Sequence, residues 1–178
     1  MEFLVVCTAN QCRSAMGEAL FQRRLDEREL AVHVGSAGFL SGGAPATETA
    51  IEVMAADGLD IAGHRSRQVS QYLVDEADLV VTMTRQHLIE LTLMVPDALP
   101  RMFQLVDLVR RAEKFRPRHL DEPLAAWLAS VGEDRTRQSI LATSLSDDVS
   151  DPIGQSAAVY ERTRKQLDDL FTRLAAQL

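Results

Sequence analysis

A short run rich in Val and Phe, Glu2–Val6, meets Cys7 and a polar loop that ends at Arg13, and a helical pattern follows at once. This strand–loop–helix opening constrains the fold more than any other feature. A strand apolar on both faces needs helices to cover it, so such a unit begins an alternating α/β chain. The alternation continues. Ala15–Glu29 carries Met16, Ala19, Leu20 and Leu25 at helical spacing, with Ser14 placed as its cap. Ala31–Val34 reads as a second strand, closed by Gly35, Ser36, Ala37 and Gly38, and Gly42, Gly43 and Pro45 mark a loop. Thr47 starts a helix holding Ile51, Val53 and Met54, which Gly58 ends. Asp78–Met83 is the clearest internal strand, Thr84 caps the next helix, Pro96 and Pro100 break it, and Met102–Leu105 forms a further strand. Ser156–Leu178 is predicted as a long terminal helix with Val159, Thr163, Leu167, Leu170 and Leu174 on one face. The expected architecture is a parallel sheet with helices on both faces, in three layers.

The chain has 178 residues, 46% of them hydrophobic, enough for one domain with a buried core. The stretch from Phe115 to Ser150 fits the alternation poorly, so the domain is read as 1–178 with an insertion at about 107–147 that carries one or two short helices. A formal net charge of -7 argues against a general nucleic-acid binder, while leaving room for a local basic pocket. No apolar run is long enough for a membrane span, and the opening residues lack the features of a signal peptide. A cytoplasmic protein is expected. The two cysteines, Cys7 and Cys12, are too close to staple a fold, and the four scattered histidines show no zinc spacing, so neither metal nor cofactor is expected.

The chemistry concentrates in Val6-Cys7-Thr8-Ala9-Asn10-Gln11-Cys12-Arg13-Ser14. A loop between strand and helix aims backbone N–H groups into a concavity beside the positive helix end, at the sheet edge where α/β proteins bind ligands. Such a cradle suits a phosphate dianion. The helix terminus, the amides and Arg13 favour the thiolate of Cys7, a strong nucleophile toward phosphorus. The planar fork of Arg13 can grip two equatorial phosphoryl oxygens and hold their charge through the transition state. Ser14 can donate to the sulfur when it departs. A leaving group needs an acid and then water needs a base; Asp151, fixed by Pro152 ahead of the last helix, is the best candidate for both.

These residues resemble the V-C-x-G-N-x-C-R-S-P-M-x-E signature of low-molecular-weight protein tyrosine phosphatases, with Met16 and Glu18 continuing it. The likeness extends through Ser36-Ala37-Gly38, Gly58-Leu59-Asp60, His64-Arg65-Ser66-Arg67, Asp78–Met83, Asp151-Pro152 and Tyr160, and leaves out about residues 107 to 147. The resemblance implies four parallel strands with the phosphate-binding loop after the first, a phosphocysteine intermediate and no metal. It implies Cys7 as nucleophile, Arg13 as phosphate-binding arginine and Asp151 as general acid. Thr8, Ala9, Asn10, Gln11, Cys12 and Ser14 then form the loop, with Ser36 and His64 supporting it. Cys12 is similar to a second loop cysteine that forms a reversible disulfide with the nucleophile. Substrate would be a phosphorylated protein or peptide, phosphotyrosine first, with inorganic phosphate as product or inhibitor.

Departures from the signature bear on specificity. Ala9 stands where the family usually has Gly, in a loop that can require φ > 0, and Ala15 replaces Pro. Gln11 and Ile153 occupy positions that help select substrate, and Phe39 and Leu40 are placed to wall the pocket. Asp151, Pro152, Gly154 and Ser156 match the D-P-x-G-x-S pattern of bacterial members that act on phosphoarginine, which makes that the alternative substrate class. A non-catalytic phosphate-binding pseudophosphatase is a second alternative. Arsenate reduction is disfavoured, because the relay it needs takes two more cysteines than this chain has.

Overall fold

The computed structural model describes residues 1–136, 138, 140 and 147–178. Four strands, β1 (Glu2–Cys7), β2 (His33–Gly38), β3 (Leu79–Thr82) and β4 (Met102–Gln104), form one sheet in the order β2-β1-β3-β4. All pairings are parallel, with Val5 opposite Ser36 on one side and Val81 on the other. Around the sheet lie α1 (Arg13–Asp26), α2 (Glu48–Ala56), α3 (Gln71–Glu76), α4 (Arg85–Met94), α5 (Leu105–Phe115), α6 (Leu124–Val131) and α7 (Ala157–Ala175).

The period-2 alternation of β1 divides the core. Phe3, Val5 and Cys7 join the cluster that includes Leu20, Phe21 and Phe171, while Leu4 and Val6 join Val80, Leu88 and Leu91 on the opposite face. Each fully buried aliphatic side chain contributes about 1.5–3 kcal/mol, so covering both faces of β1 fixes the strand whose end carries Cys7. The chain runs from β1 to β2 on one side and then returns to β3 on the other. The crevice beyond the carboxyl ends of β1 and β3 is therefore the topological switch point, where open α/β sheets bind ligands.

Several local expectations need correction. Strand β2 runs to Gly38, so Gly35-Ser36-Ala37-Gly38 belongs to the strand rather than closing it. Those residues are small because neighbours press on them: a Cβ on Gly38 would stand 2.7 Å from both Asn10 N and Thr8 O. Ser14 does not cap α1; the N-cap residue is Cys12 and offers no side-chain hydrogen bond. A capping side chain there would occupy the very amides an anion needs, and Ser14 is turned into the site instead. Helix α3, absent from the sequence reading, is too short for a period but has a capping Ser70 that accepts from Leu73 N at 3.3 Å. The buried face of α7 carries Tyr160, Thr163, Leu167, Leu170 and Leu174, so Tyr160 takes the place expected of Val159.

Thr47 caps α2, Thr84 caps α4, and Gly58 follows α2 with φ 79° as a C-terminal stop. Within the expected insertion, α5 buries Leu108, Val109 and Ala112, and α6 buries Trp127, whose Nε1 donates to Arg116 O at 3.0 Å. Residues 137, 139 and 141–146 of that stretch lie outside the described residues.

Candidate active site

The loop from Cys7 to Arg13 turns at Asn10, which has φ 54°, in the left-handed region that asparagine tolerates better than most residues. Ala9 is not among the positive-φ residues, so its methyl carries no backbone strain where the signature has glycine. Asn10 is the hub. Its Nδ2 donates to Ser14 Oγ at 2.9 Å and to Ser36 Oγ at 2.7 Å, and its Oδ1 accepts from Arg67 N at 2.9 Å. Its carbonyl accepts from His64 Nε2 at 2.7 Å. Every polar group of this buried side chain is thus used, which holds the turn in one conformation. Ser36 passes the network on by donating to Glu18.

Cys7 is buried at the end of β1. Asn10 N donates to its Sγ at 3.3 Å, and Ser14 Oγ lies 3.0 Å away. Asn10 Nδ2 already donates to Ser14, so the serine's own proton can serve the sulfur at 3.0 Å or the more distant Ala37 O at 3.4 Å. Two donors converge on Sγ, which suits a sulfur that attacks and later departs. Cys7 and Cys12 are both free thiols. Burial first, then Cys7 and Asp151, push the Cys12 thiol up to about 12.

Arg13, in the first turn of α1, is buried and its guanidinium is triply engaged. Nη1 donates to Val149 O at 3.1 Å, and Nη2 donates to Thr8 Oγ1 at 3.4 Å and to Asp151 Oδ2. The Asp151 side chain is 39% exposed, against 4% for Arg13. Asp151 Oδ1 lies 3.7 Å from Cys12 Sγ and accepts from Ile153 N at 3.1 Å. A carboxyl group, a guanidinium and a sulfur therefore meet at one end of the sheet, although Asp151 is distant from the loop in sequence.

Of the remaining expected residues, Gln11 belongs to the loop, Phe39 and Leu40 are bonded to it, and Ile153 is bonded to Asp151. Gln11 is half-buried and its carbonyl accepts from Thr47 N at 2.8 Å. Phe39 and Leu40 donate their N–H groups to Thr8 O at 2.7 and 3.1 Å. The Leu40 and Ile153 residues are 54% and 45% exposed. Phe39 also stacks on the ring of His87, with centroids 5.7 Å apart.

Sequence reasoning missed the groups that hold Asp151 in place, and it missed His87. Asp148 Oδ1 accepts from Arg85 N and from Gln104 Nε2, both at 2.8 Å, and Val149 N donates to Met83 O at 2.8 Å. His87 Nε2 lies 2.9 Å from Thr8 Oγ1. The available signal was the capping Thr84, which places Arg85 and His87 in the first turn of a helix that starts at the switch point.

Comparison with known proteins agrees with this geometry. The family described as low molecular weight phosphotyrosine protein phosphatase matches residues 2–127, which includes the loop and stops short of Asp151. The protein-arginine-phosphatase of Bacillus subtilis (strain 168) is 31% identical over 179 residues, covering 100% of this chain and 97% of that protein. The low molecular weight protein-tyrosine-phosphatase Wzb of Escherichia coli (strain K12) is 42% identical over 94 residues, covering 53% of this chain and 62% of Wzb. Among solved structures, the C7S mutant of the arginine phosphatase YwlE, with a phosphorylated active-site serine, superposes with a TM-score of 0.77 at 30% identity, covering 100% of this chain and 95% of that one. The chain belongs to the low molecular weight phosphotyrosine protein phosphatase family.

Proposed function

We propose that this chain is a cysteine-dependent phosphatase that hydrolyses phosphoproteins through a phosphocysteine intermediate. The observation that carries this reading is the convergence of Cys7 Sγ, the Arg13 guanidinium and the Asp151 carboxyl at the carboxyl edge of β1. Cys7 attacks phosphorus, and the bond from phosphorus to the leaving oxygen or nitrogen breaks as the bond to sulfur forms. Arg13 and the loop amides hold the equatorial oxygens, whose charge must be stabilised throughout. Asp151 protonates the leaving group and then takes a proton from the water that releases phosphate. Ser14 and Asn10 N–H support the sulfur when it is expelled. Ser36 and His64 act through Asn10, by fixing the turn.

Phosphotyrosine is the first substrate reading, supported by the family. Phosphoarginine is the second. It is favoured by one specific observation, that a relative 31% identical over the whole chain is a protein-arginine-phosphatase. We read residues 1–178 as a single domain in which the segment of about 107–147 leads into Asp151. No helix among the described residues is long and apolar enough to cross a membrane. Phosphorylated proteins or peptides are the proposed partners, inorganic phosphate the product and inhibitor, and the cytoplasm the proposed location.

The deciding experiment is hydrolysis of p-nitrophenyl phosphate without metal, followed by release of phosphate from phosphotyrosine and phosphoarginine peptides. Turnover by wild type that is lost in Cys7→Ser supports the reading. A folded wild type that binds phosphate without turnover would make the chain a binding module.

A further inference from the structure

Helix α4 begins where β3 ends, at the switch point, and its first turn makes two contacts that the proposed chemistry does not use. One reaches the phosphate loop and the other reaches the segment that carries Asp151. We propose that this turn is a bracket that sets the acid-bearing segment against the phosphate loop, with His87 and Asp148 as its positioning residues. The proposal deepens the phosphatase reading above and rests on it.

The His87 arm is well defined. The residue is 5% exposed, its ring stacks on Phe39, and Nε2 is 2.9 Å from Thr8 Oγ1. Among the described residues Nδ1 is buried without a partner. A proton at Nδ1 would leave a buried N–H with nothing to donate to, whereas a proton at Nε2 leaves only an idle acceptor, the more tolerable outcome. The hydrogen-bond inventory therefore assigns the proton to Nε2, which donates to Thr8. The same oxygen receives Arg13 Nη2, so His87 steadies the hydroxyl against which the guanidinium is oriented. Burial, followed by the charge of Arg13 and opposed by Asp151, pushes the imidazole down to about 4, and it stays a neutral strut at ordinary pH.

The Asp148 arm pins the other side. Its Oδ1 takes the Arg85 N–H at the amino end of α4, where the helix dipole and unpaired amides favour a carboxylate, and also takes Gln104 Nε2. One residue on, Val149 is tied to Met83 O through its N–H and to Arg13 through its carbonyl. Asp151 is thus held by a two-residue tether from a doubly fixed base. Since both arms spring from one turn, the separation of acid and loop is set by α4 rather than by either segment alone.

The test uses the full chain carrying His87→Leu, His87→Asn, Asp148→Ala or Asp148→Asn, with melting temperature, inhibition by inorganic phosphate, and kcat and KM measured on p-nitrophenyl phosphate and phenyl phosphate. The nitrophenolate leaves with little help, whereas phenol, with an ordinary pKa of about 10 like tyrosine, needs the acid. Asp148→Ala is expected to lower kcat/KM, which reports only the steps up to departure of the leaving group, about 10-fold on phenyl phosphate and by no more than about 2-fold on p-nitrophenyl phosphate, since small misplacement is costly there only where the acid acts. His87→Leu is expected to weaken phosphate inhibition and raise KM about 5-fold on both substrates, and His87→Asn, which keeps an N–H donor, to recover most of it. The bracket is overturned if the variants match wild type, or if both substrates fall in parallel with melting temperature and Asn restores nothing. Wild type without turnover would instead defeat the phosphatase reading and the bracket with it.

Discussion

The phosphate loop and the acid segment meet at Arg13 but are built in opposite ways. Residues 7–14 are local: one strand end, one turn and one helix start, with Asn10 using each of its polar groups and a glycine-only approach at Gly38. The acid segment is remote and more exposed, and it borrows its order from α4, β4 and Arg13 through Asp148 and Val149. A preorganised anion cradle must be rigid before substrate arrives, because its donors act on charge that develops in the transition state. A proton donor must reach a variable leaving group, so exposure at Asp151 is compatible with its task. The two regions should therefore fail differently when damaged.

Loop substitutions should affect every substrate alike. Cys7→Ser is expected to cost roughly 10⁴-fold or more in kcat, read on p-nitrophenyl phosphate, because the nucleophile acts in every turnover. Arg13→Lys keeps the charge but loses the fork, and kcat/KM should fall roughly 10²–10³-fold on all substrates. Asp151→Ala is expected to cost about 10²-fold in kcat/KM, which excludes the later base-assisted step, on phenyl phosphate and distinctly less on p-nitrophenyl phosphate. An equal loss on both would break the proposed division between cradle and acid.

Smaller effects sharpen the comparison. Gly38→Ala places a methyl 2.7 Å from Thr8 O, and its expected cost is about 1–3 kcal/mol in urea denaturation with reduced activity. The last prediction concerns acid stability. The His87 pKa is lowered from 6.5 to about 4 by burial and by Arg13. As pH falls below 6.5 the unfolded chain takes up a proton that the folded chain refuses, so stability declines toward pH 4, by about 3 kcal/mol over that window. Urea midpoints at about pH 7, 5.5 and 4.5 should fall less steeply in His87→Asn than in wild type.

The difference between the two regions also explains what was legible beforehand. Cys7, Asn10, Arg13 and Ser14 lie in one nonapeptide, so spacing and residue type reveal them together. Strand and helix alternation revealed the sheet for the same local reason. Ser14 was misjudged because a helix-start serine usually caps, and only the tertiary site diverts its hydroxyl to Cys7. The end of β2 was misjudged because Gly and Ser read as turn residues, whereas here they make room for the loop. Asp148, Gln104 and His87 carry no local pattern that joins them. Their meeting is a consequence of strand order, which places α4 beside the loop.

The central claim is that phosphate passes through the Cys7 sulfur. Mass spectrometry of wild type acid-quenched during turnover of p-nitrophenyl phosphate tests it most directly, with Cys7→Ser in parallel. The expected result is a single phosphoryl group on the peptide bearing Cys7, and slow labelling of the serine at the same position in the variant. Steady turnover with the label on Cys12 or a histidine, or with Cys7→Ser as active as wild type, would contradict the account.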